Sequence, residues 1–247
     1  MSGSSQQRTE SNDWLQYYPE VQSAGSLRAV VLDTMANLGS PFLPTDSTDW
    51  FPKTYARVEA ANRFVQVYVA ALERLFLMEF WSKGVCLASG NCPDIRQTAS
   101  AIHQWLSDVK LRVSGLSKDF IWVVPKEGAE AFEEGQEVDW RWEQLVNDEA
   151  RLPEFRTLVR RAAAEPRLRE LFPYSSMHTL CFSRCTGYPF TRDTPSITPI
   201  GNGNYRVSDG NDRELGLGDI DLAVRIAVDN LPPGCGPAKP GTAGNEA

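Results

Sequence analysis

The spacing of apolar residues changes several times along the chain, and each change predicts a change of architecture. Near the start, Leu27, Val30, Val31, Met35 and Leu38 recur at the 3.6-residue period of a helix. Ser26 is placed to cap that helix and Gly39 to stop it. An aromatic cluster over 13–21, with Trp14, Leu15, Tyr17 and Tyr18, predicts a short docked helix before it, and 41–52 reads as a loop. From Tyr55 the period drops to two. Residues 55–60, 63–70, 75–81 and 85–89 read as strands joined by short turns, which predicts an antiparallel meander. In the second strand Val65, Val67 and Val69 oppose Phe64, Gln66 and Tyr68. In the third, apolar residues of both parities predict a strand covered on both faces.

The helical period returns after Pro93, which suits a first turn, with Asp94 favouring that end. Ile95, Ala99, Ile102, Leu106 and Val109 form the apolar face, and His103 lies off it. A short strand is expected at 120–124. Residues 127–146 read as one long helix, with Phe132, Trp142 and Leu145 inward and Gly128 and Gly135 weakening it. Two further helices, 153–164 and 167–172, are separated by Pro166. Strands then return at 178–184, 196–200 and 204–208, with Gly201-Asn-Gly203 as a hairpin signal. Gly216-Leu-Gly218-Asp reads as a turn, and Asp219 caps a helix through Leu231. Residues 1–12 are small and polar and are expected to be disordered. The tail at 234–247 is rich in Pro and Gly, which predicts no regular structure and a loose end.

These elements predict an α+β fold: two antiparallel β-meander plus helix units, with a helical insertion between them, in one domain over 13–233. The two units raise the question of a pseudo-repeat. The offset that carries Asp94 onto Asp219 also carries Ile95 onto Ile220, Ala99 onto Val224, Ile102 onto Ala227 and Leu106 onto Leu231. Any two amphipathic helices can align this way, and so can two related units. The sequence leaves both open.

Composition narrows the function classes. The net charge is −7, from 25 Lys and Arg against 32 Asp and Glu. No basic run supplies the footprint that phosphate backbones require, so nucleic acid is not expected as a partner. No apolar run approaches the roughly 18 residues of a membrane span, and no secretory leader is recognisable. A cytoplasmic location and reduced thiols are therefore expected for the five cysteines. Cys86-x5-Cys92 and Cys181-x3-Cys185 lack zinc-knuckle spacing, so no metal is expected. No phosphate loop or dinucleotide fingerprint is present, and no cofactor is expected.

The reactive side chains crowd into 172–193. Cys185, with Arg184 and Arg192 near in sequence and His178 upstream, is the candidate nucleophile, because a thiolate needs a base or a positive neighbour. His178 and Tyr188 are the candidate acid–base groups. Arg184 and Arg192 could clamp a carboxylate or phosphate, or pair with Asp193 or Asp212. Tyr174 and Trp140 complete the candidate substrate-binding set.

The blocks ARVEAANRFVQVYVAALERLFLMEFWSKGVCLA, AFEEGQEVDWRWEQL, LFPYSSMHTLCFSRCTGYPFTRD and LPPGCGPAKPGT occur in that order. Together they resemble an actinobacterial domain-of-unknown-function family labelled natural product biosynthesis proteins. The resemblance runs from about Tyr55 to Thr242 and is densest over 169–208. It implies a role with a small-molecule intermediate. Two forms of that role follow: a cofactor-independent tailoring or cyclising enzyme, or a non-catalytic accessory that binds a biosynthetic enzyme or carrier protein.

Overall fold

The computed structural model describes residues 13–45, 53–111 and 115–244. The expectations for 1–12, for most of the 41–52 loop and for 245–247 fall outside them. The chain divides into two compact units. One is Met1–Phe80 with Ala88–Pro125; the other is Trp81–Leu87 with Lys126–Ala247.

In the first unit a 3₁₀ turn, Asp13–Tyr17, leads into α1 (Pro19–Ala24) and α2 (Leu27–Asn37). The Ser26 hydroxyl accepts the Ala29 N–H at 3.1 Å, and Gly39 takes a φ of 71° beyond the helix end. The strands β1 (Tyr55–Ala60), β2 (Arg63–Val69), β3 (Phe76–Ser82) and β4 (Val85–Cys92) run as the expected meander. The short β5 (Val123–Pro125) pairs antiparallel with β4. Ala56, Val58, Val65, Val67, Phe76, Met78 and Phe80 form the buried face. Leu77 and Glu79 are not buried, so β3 is covered on one face and not on both. Both of its residue sets are rich in apolar side chains, and periodicity alone does not say which set is inside.

The helix α3 (Ile95–Leu106), which the one-turn α4 (Leu116–Asp119) follows, buries Ala99, Ala101, Ile102 and Trp105. Asp94 is its cap, accepting the N–H groups of Arg96 at 2.7 Å and Gln97 at 3.2 Å. Pro93 therefore precedes the cap and does not occupy the first turn. At the other end the Arg63 guanidinium donates to the carbonyls of Trp105 at 2.9 Å and Val109 at 3.0 Å, tying the helix end to the segment that follows it. Each fully buried Val, Phe or Met contributes about 1.5–3 kcal/mol, against about 1 kcal/mol for a cap. Burial holds the helix on the sheet; the cap sets where it begins. His103 is half-buried, with Nδ1 3.0 Å from the Ser40 hydroxyl.

In the second unit the expected long helix is broken into α5 (Ala129–Glu134) and α6 (Glu137–Asn147), because Gly135 turns left-handed at a φ of 75°. Next come α7 (Pro153–Ala163) and α8 (Pro166–Arg169). Phe172 does not end a helix; it begins a strand. The second sheet consists of β6 (Phe172–Ser176), β7 (Thr179–Ser183), β8 (Ser196–Gly201), β9 (Asn204–Ser208) and β10 (Glu214–Gly218), in that spatial order. Its core joins Leu180, Phe182, Ile197, Tyr205 and Val207 to Trp142, Phe155 and Leu158. α9 (Ile220–Asp229) adds Ala223, Val224 and Ala227.

The strand β10 replaces the turn expected at 216–219. A Cβ on Gly216 would stand 2.8 Å from Ile226, and one on Gly218 2.6 Å from Leu222. The glycines are there to let α9 lie close to the strand. The Pro- and Gly-rich tail is also tied down. Lys239 N–H bonds the Arg184 carbonyl, Thr186 N–H the Lys239 carbonyl, and Gly187 N–H the Gly241 carbonyl at 2.7–3.1 Å.

The two units share a topology. In each, four antiparallel strands lead into one helix capped by an aspartate; Asp219 accepts the Leu222 N–H at 2.9 Å. The offset that superposes the caps carries Thr98, Ala99, Ile102 and Leu106 onto Ala223, Val224, Ala227 and Leu231, and all eight are buried. The fifth strand is added on opposite edges: β5 beside β4, but β6 beside β7.

Candidate functional site

The segment 172–193 separates into a sealed turn and an open pocket. Cys185 lies in the turn, 1% exposed. The Ser183 hydroxyl donates to the Cys185 carbonyl at 2.7 Å and accepts the N–H groups of Cys185 at 3.0 Å and Thr191 at 3.2 Å. Its own sulfur faces the carbonyls of Gly187 and Pro189 at 3.5 and 3.7 Å. A thiol so enclosed behaves as a small core group.

The other expected catalytic residues are elsewhere. His178 is exposed in the β6–β7 hairpin turn, one strand length from Cys185. Tyr188 is 67% exposed, with its ring edge-on to Phe190 at 5.9 Å. Cys185, His178 and Tyr188 are not brought together. Arg184 pairs with Asp193 at 2.6 Å. Trp140 packs edge-on to Phe132 at 5.9 Å and lies against Gly128, where a Cβ would stand 2.4 Å from its ring. It is a packing residue outside the pocket. Its companion Trp142 is buried and donates to the Leu171 carbonyl at 3.0 Å.

Two of the expected binding residues do converge. Tyr174 and Arg192 line a cavity of about 310 Å³ on the face of the second sheet opposite its core, together with Cys181, Asp209 and Asp212. Tyr174 and Cys181 are direct cross-strand partners. The Tyr174 ring stacks on Phe190 with centroids 4.6 Å apart. Burial, followed by the neighbouring Cys181, pushes the Tyr174 phenol up to about 12. Burial likewise pushes the Cys181 thiol up. Asp212 adds to that rise, while Tyr174 and Arg192 oppose it. Both groups thus hold their protons at neutral pH, and Cys181 is not a thiolate nucleophile there.

The walls are two loops. Asp209 closes one of them, accepting the N–H groups of Asn211 and Arg213 at 2.9 Å each, and Asp212 sits left-handed at a φ of 63°. That loop rests directly on the other: a Cβ on Gly210 would fall 1.6 Å from the Arg192 carbonyl oxygen. Among the described residues neither the Arg192 guanidinium nor the Asp212 carboxylate makes a hydrogen bond or ion pair. The pocket adds Cys181 and Asp212 to the binding residues expected from the sequence. The signal available was the Asp209-Gly-Asn-Asp212 run, which marks an exposed loop between strands.

Residues 136–242 match the model of a family of unknown function, DUF6193. The match spans less than half of the 247 residues but contains every residue lining the pocket. No curated protein and no solved structure matches the chain. Among the described residues no group of three His, Cys, Asp or Glu is placed to hold a metal ion, and no helix is long and apolar enough to cross a membrane.

Proposed function

We propose that this is a cytoplasmic natural-product biosynthesis protein of actinobacterial type, which handles a small-molecule intermediate in the pocket beside β6 and β7 as a cofactor-independent tailoring or cyclising enzyme. The observation that carries this reading is the convergence of a protonated phenol, a guanidinium and a carboxylate on one cavity. Arg192 holds an anionic group of the substrate. Tyr174 donates a hydrogen bond to an oxygen on which negative charge develops, and Asp212 holds a positively charged or N–H group of the substrate in place. Cys181 serves the site as the cross-strand neighbour that helps to keep the Tyr174 phenol protonated. The five free cysteines suit a reducing compartment. The test is metabolite profiling of a producing strain in which Tyr174→Phe or Asp212→Asn replaces the native residue. The expected result is loss of the end product with accumulation of one precursor; an unchanged profile with folded protein overturns the assignment.

One observation favours the non-catalytic accessory reading. The open face of the first sheet has a shallow cavity of about 480 Å³ lined by Tyr68, Leu77, Trp122 and Val124. Such a face suits a partner surface, here a biosynthetic enzyme or a carrier protein. A Leu77→Lys variant that stops copurification of that partner while the metabolite profile of Tyr174→Phe stays normal would select this reading.

A further inference from the structure

Three charged residues line the second unit's pocket; Asp209 is engaged by the Asn211 and Arg213 N–H groups, so Arg192 and Asp212 are the pair left to specify a ligand. Arg192 comes from the loop between β7 and β8, and Asp212 from the loop between β9 and β10. Both line one cavity, yet they do not pair with each other, and neither side chain has another partner among the described residues. The two loops that carry them are fixed against each other. Gly210 seats one loop against the Arg192 carbonyl, and Asp209 fixes the turn that leads to Asp212. Between them the floor offers neutral groups: the Tyr174 hydroxyl, the Cys181 thiol and the hydroxyls of Thr179 and Ser196.

A ligand with a negative charge alone would satisfy Arg192 and be repelled by Asp212. A ligand with a positive charge alone would meet the reverse. A ligand with both charges, oriented, satisfies both. The cavity of about 310 Å³ lies at the small end of ligand pockets, which fits a molecule of amino-acid size or the end of a larger one.

We infer that the pocket of the second unit binds a zwitterion, a free α-amino acid or a molecule ending in one, with its carboxylate on Arg192 and its ammonium on Asp212. This rests on the pocket being the functional site, as proposed above.

The test is calorimetric titration of the full chain with a panel of L-amino acids, and of each binder's N-acetyl derivative and carboxamide. At least one amino acid should bind. A charge-assisted hydrogen bond is worth about ten- to a hundredfold in affinity. Acetylation and amidation should therefore each weaken binding by at least about tenfold. Arg192→Gln should reproduce the loss on amidation and Asp212→Asn the loss on acetylation. Asp212→Asn should cost the N-acetyl derivative nothing further, a silence that general damage to the pocket would not produce. Both residues are on exposed loops, and circular dichroism checks that the variants are folded. Absence of binding by any amino acid overturns the inference. So does equal binding of the N-acetyl derivative with Asp212→Asn silent. In either case, a changed metabolite profile for Tyr174→Phe leaves the functional reading standing, whereas an unchanged one removes both.

Discussion

The first sheet turns Tyr55, Phe64, Tyr68 and Leu77 away from its helices, with the Arg57 guanidinium 3.8 Å over the Phe64 ring and Tyr55 5.1 Å from Tyr68. The second sheet turns Tyr174, Thr179, Cys181, Thr198 and Arg206 outward, and the hydroxyls of Thr179 and Thr198 meet at 2.8 Å. The inner faces of the two sheets are alike, apolar and closed by a helix with the same buried positions. The shared part of the two units is therefore the part that folds, and the divergent part is the part that meets solvent. Among the described residues, only the second open face is walled by two interlocked loops, and only there do a phenol, a thiol, a guanidinium and carboxylates share one cavity. A fold hosts a site without dictating it.

The largest expected effect tests the shared interior. Ile102→Ala should destabilise the first unit by about 2–5 kcal/mol through the cavity it leaves. The reverse change at the matching position, Ala227→Ile, should cost about 1–3 kcal/mol by overpacking the second. Urea unfolding measures both; a neutral Ala227→Ile would break the positional match of the helices. Next is Gly210→Ala. Its methyl group has no room against the Arg192 carbonyl, so the loop must move and the pocket must open. Ligand binding should fall at least tenfold, on the order of 1.4 kcal/mol, while the first unit is unaffected.

The caps come third. Asp94→Ala and Asp219→Ala should each cost about 1 kcal/mol. The first should cost somewhat more, because Asp94 serves two N–H groups and Asp219 one. Thermal unfolding of each variant checks the order.

The smallest effect is a titration. With the Tyr174 phenol raised from 10 to about 12, its contribution to stability is complete below pH 10 and is lost as pH rises through 12. Burial also raises the Tyr18 and Tyr205 phenols, so near-ultraviolet absorbance should show several late-ionising tyrosines, and Tyr174→Phe should remove one of them. Cys181 should react slowly with alkylating reagents at neutral pH and faster above the ordinary thiol range. Rapid alkylation at neutral pH would contradict a protonated thiol.

What the sequence made legible follows the range of the forces involved. Ser26, Asp94 and Asp219 act on backbone within three residues, and each is the cap that its position predicts. The meander of β1 to β4 is visible because alternation and turns are local. β10 was hidden, since its glycines answer to Ile226 and Leu222 on a helix that packs later. Cys185 looked reactive because the sequence shows neighbouring charge but not the Ser183 hydrogen bonds that enclose it. Arg192 and Tyr174 were found as residue types. Their meeting with Asp212 was not, because it depends on the crossing of two loops separated by β8 and β9.

The contact at Gly210 gives a one-letter marker for relatives of this chain. Any side chain there collides with main-chain atoms, which cannot rotate away as a flexible side chain could. A sequence that keeps the surrounding strands but has a larger residue at this position should have lost the binding site while retaining the scaffold. Sorting relatives by that letter would divide them into those that can hold the ligand and those that have kept only its frame.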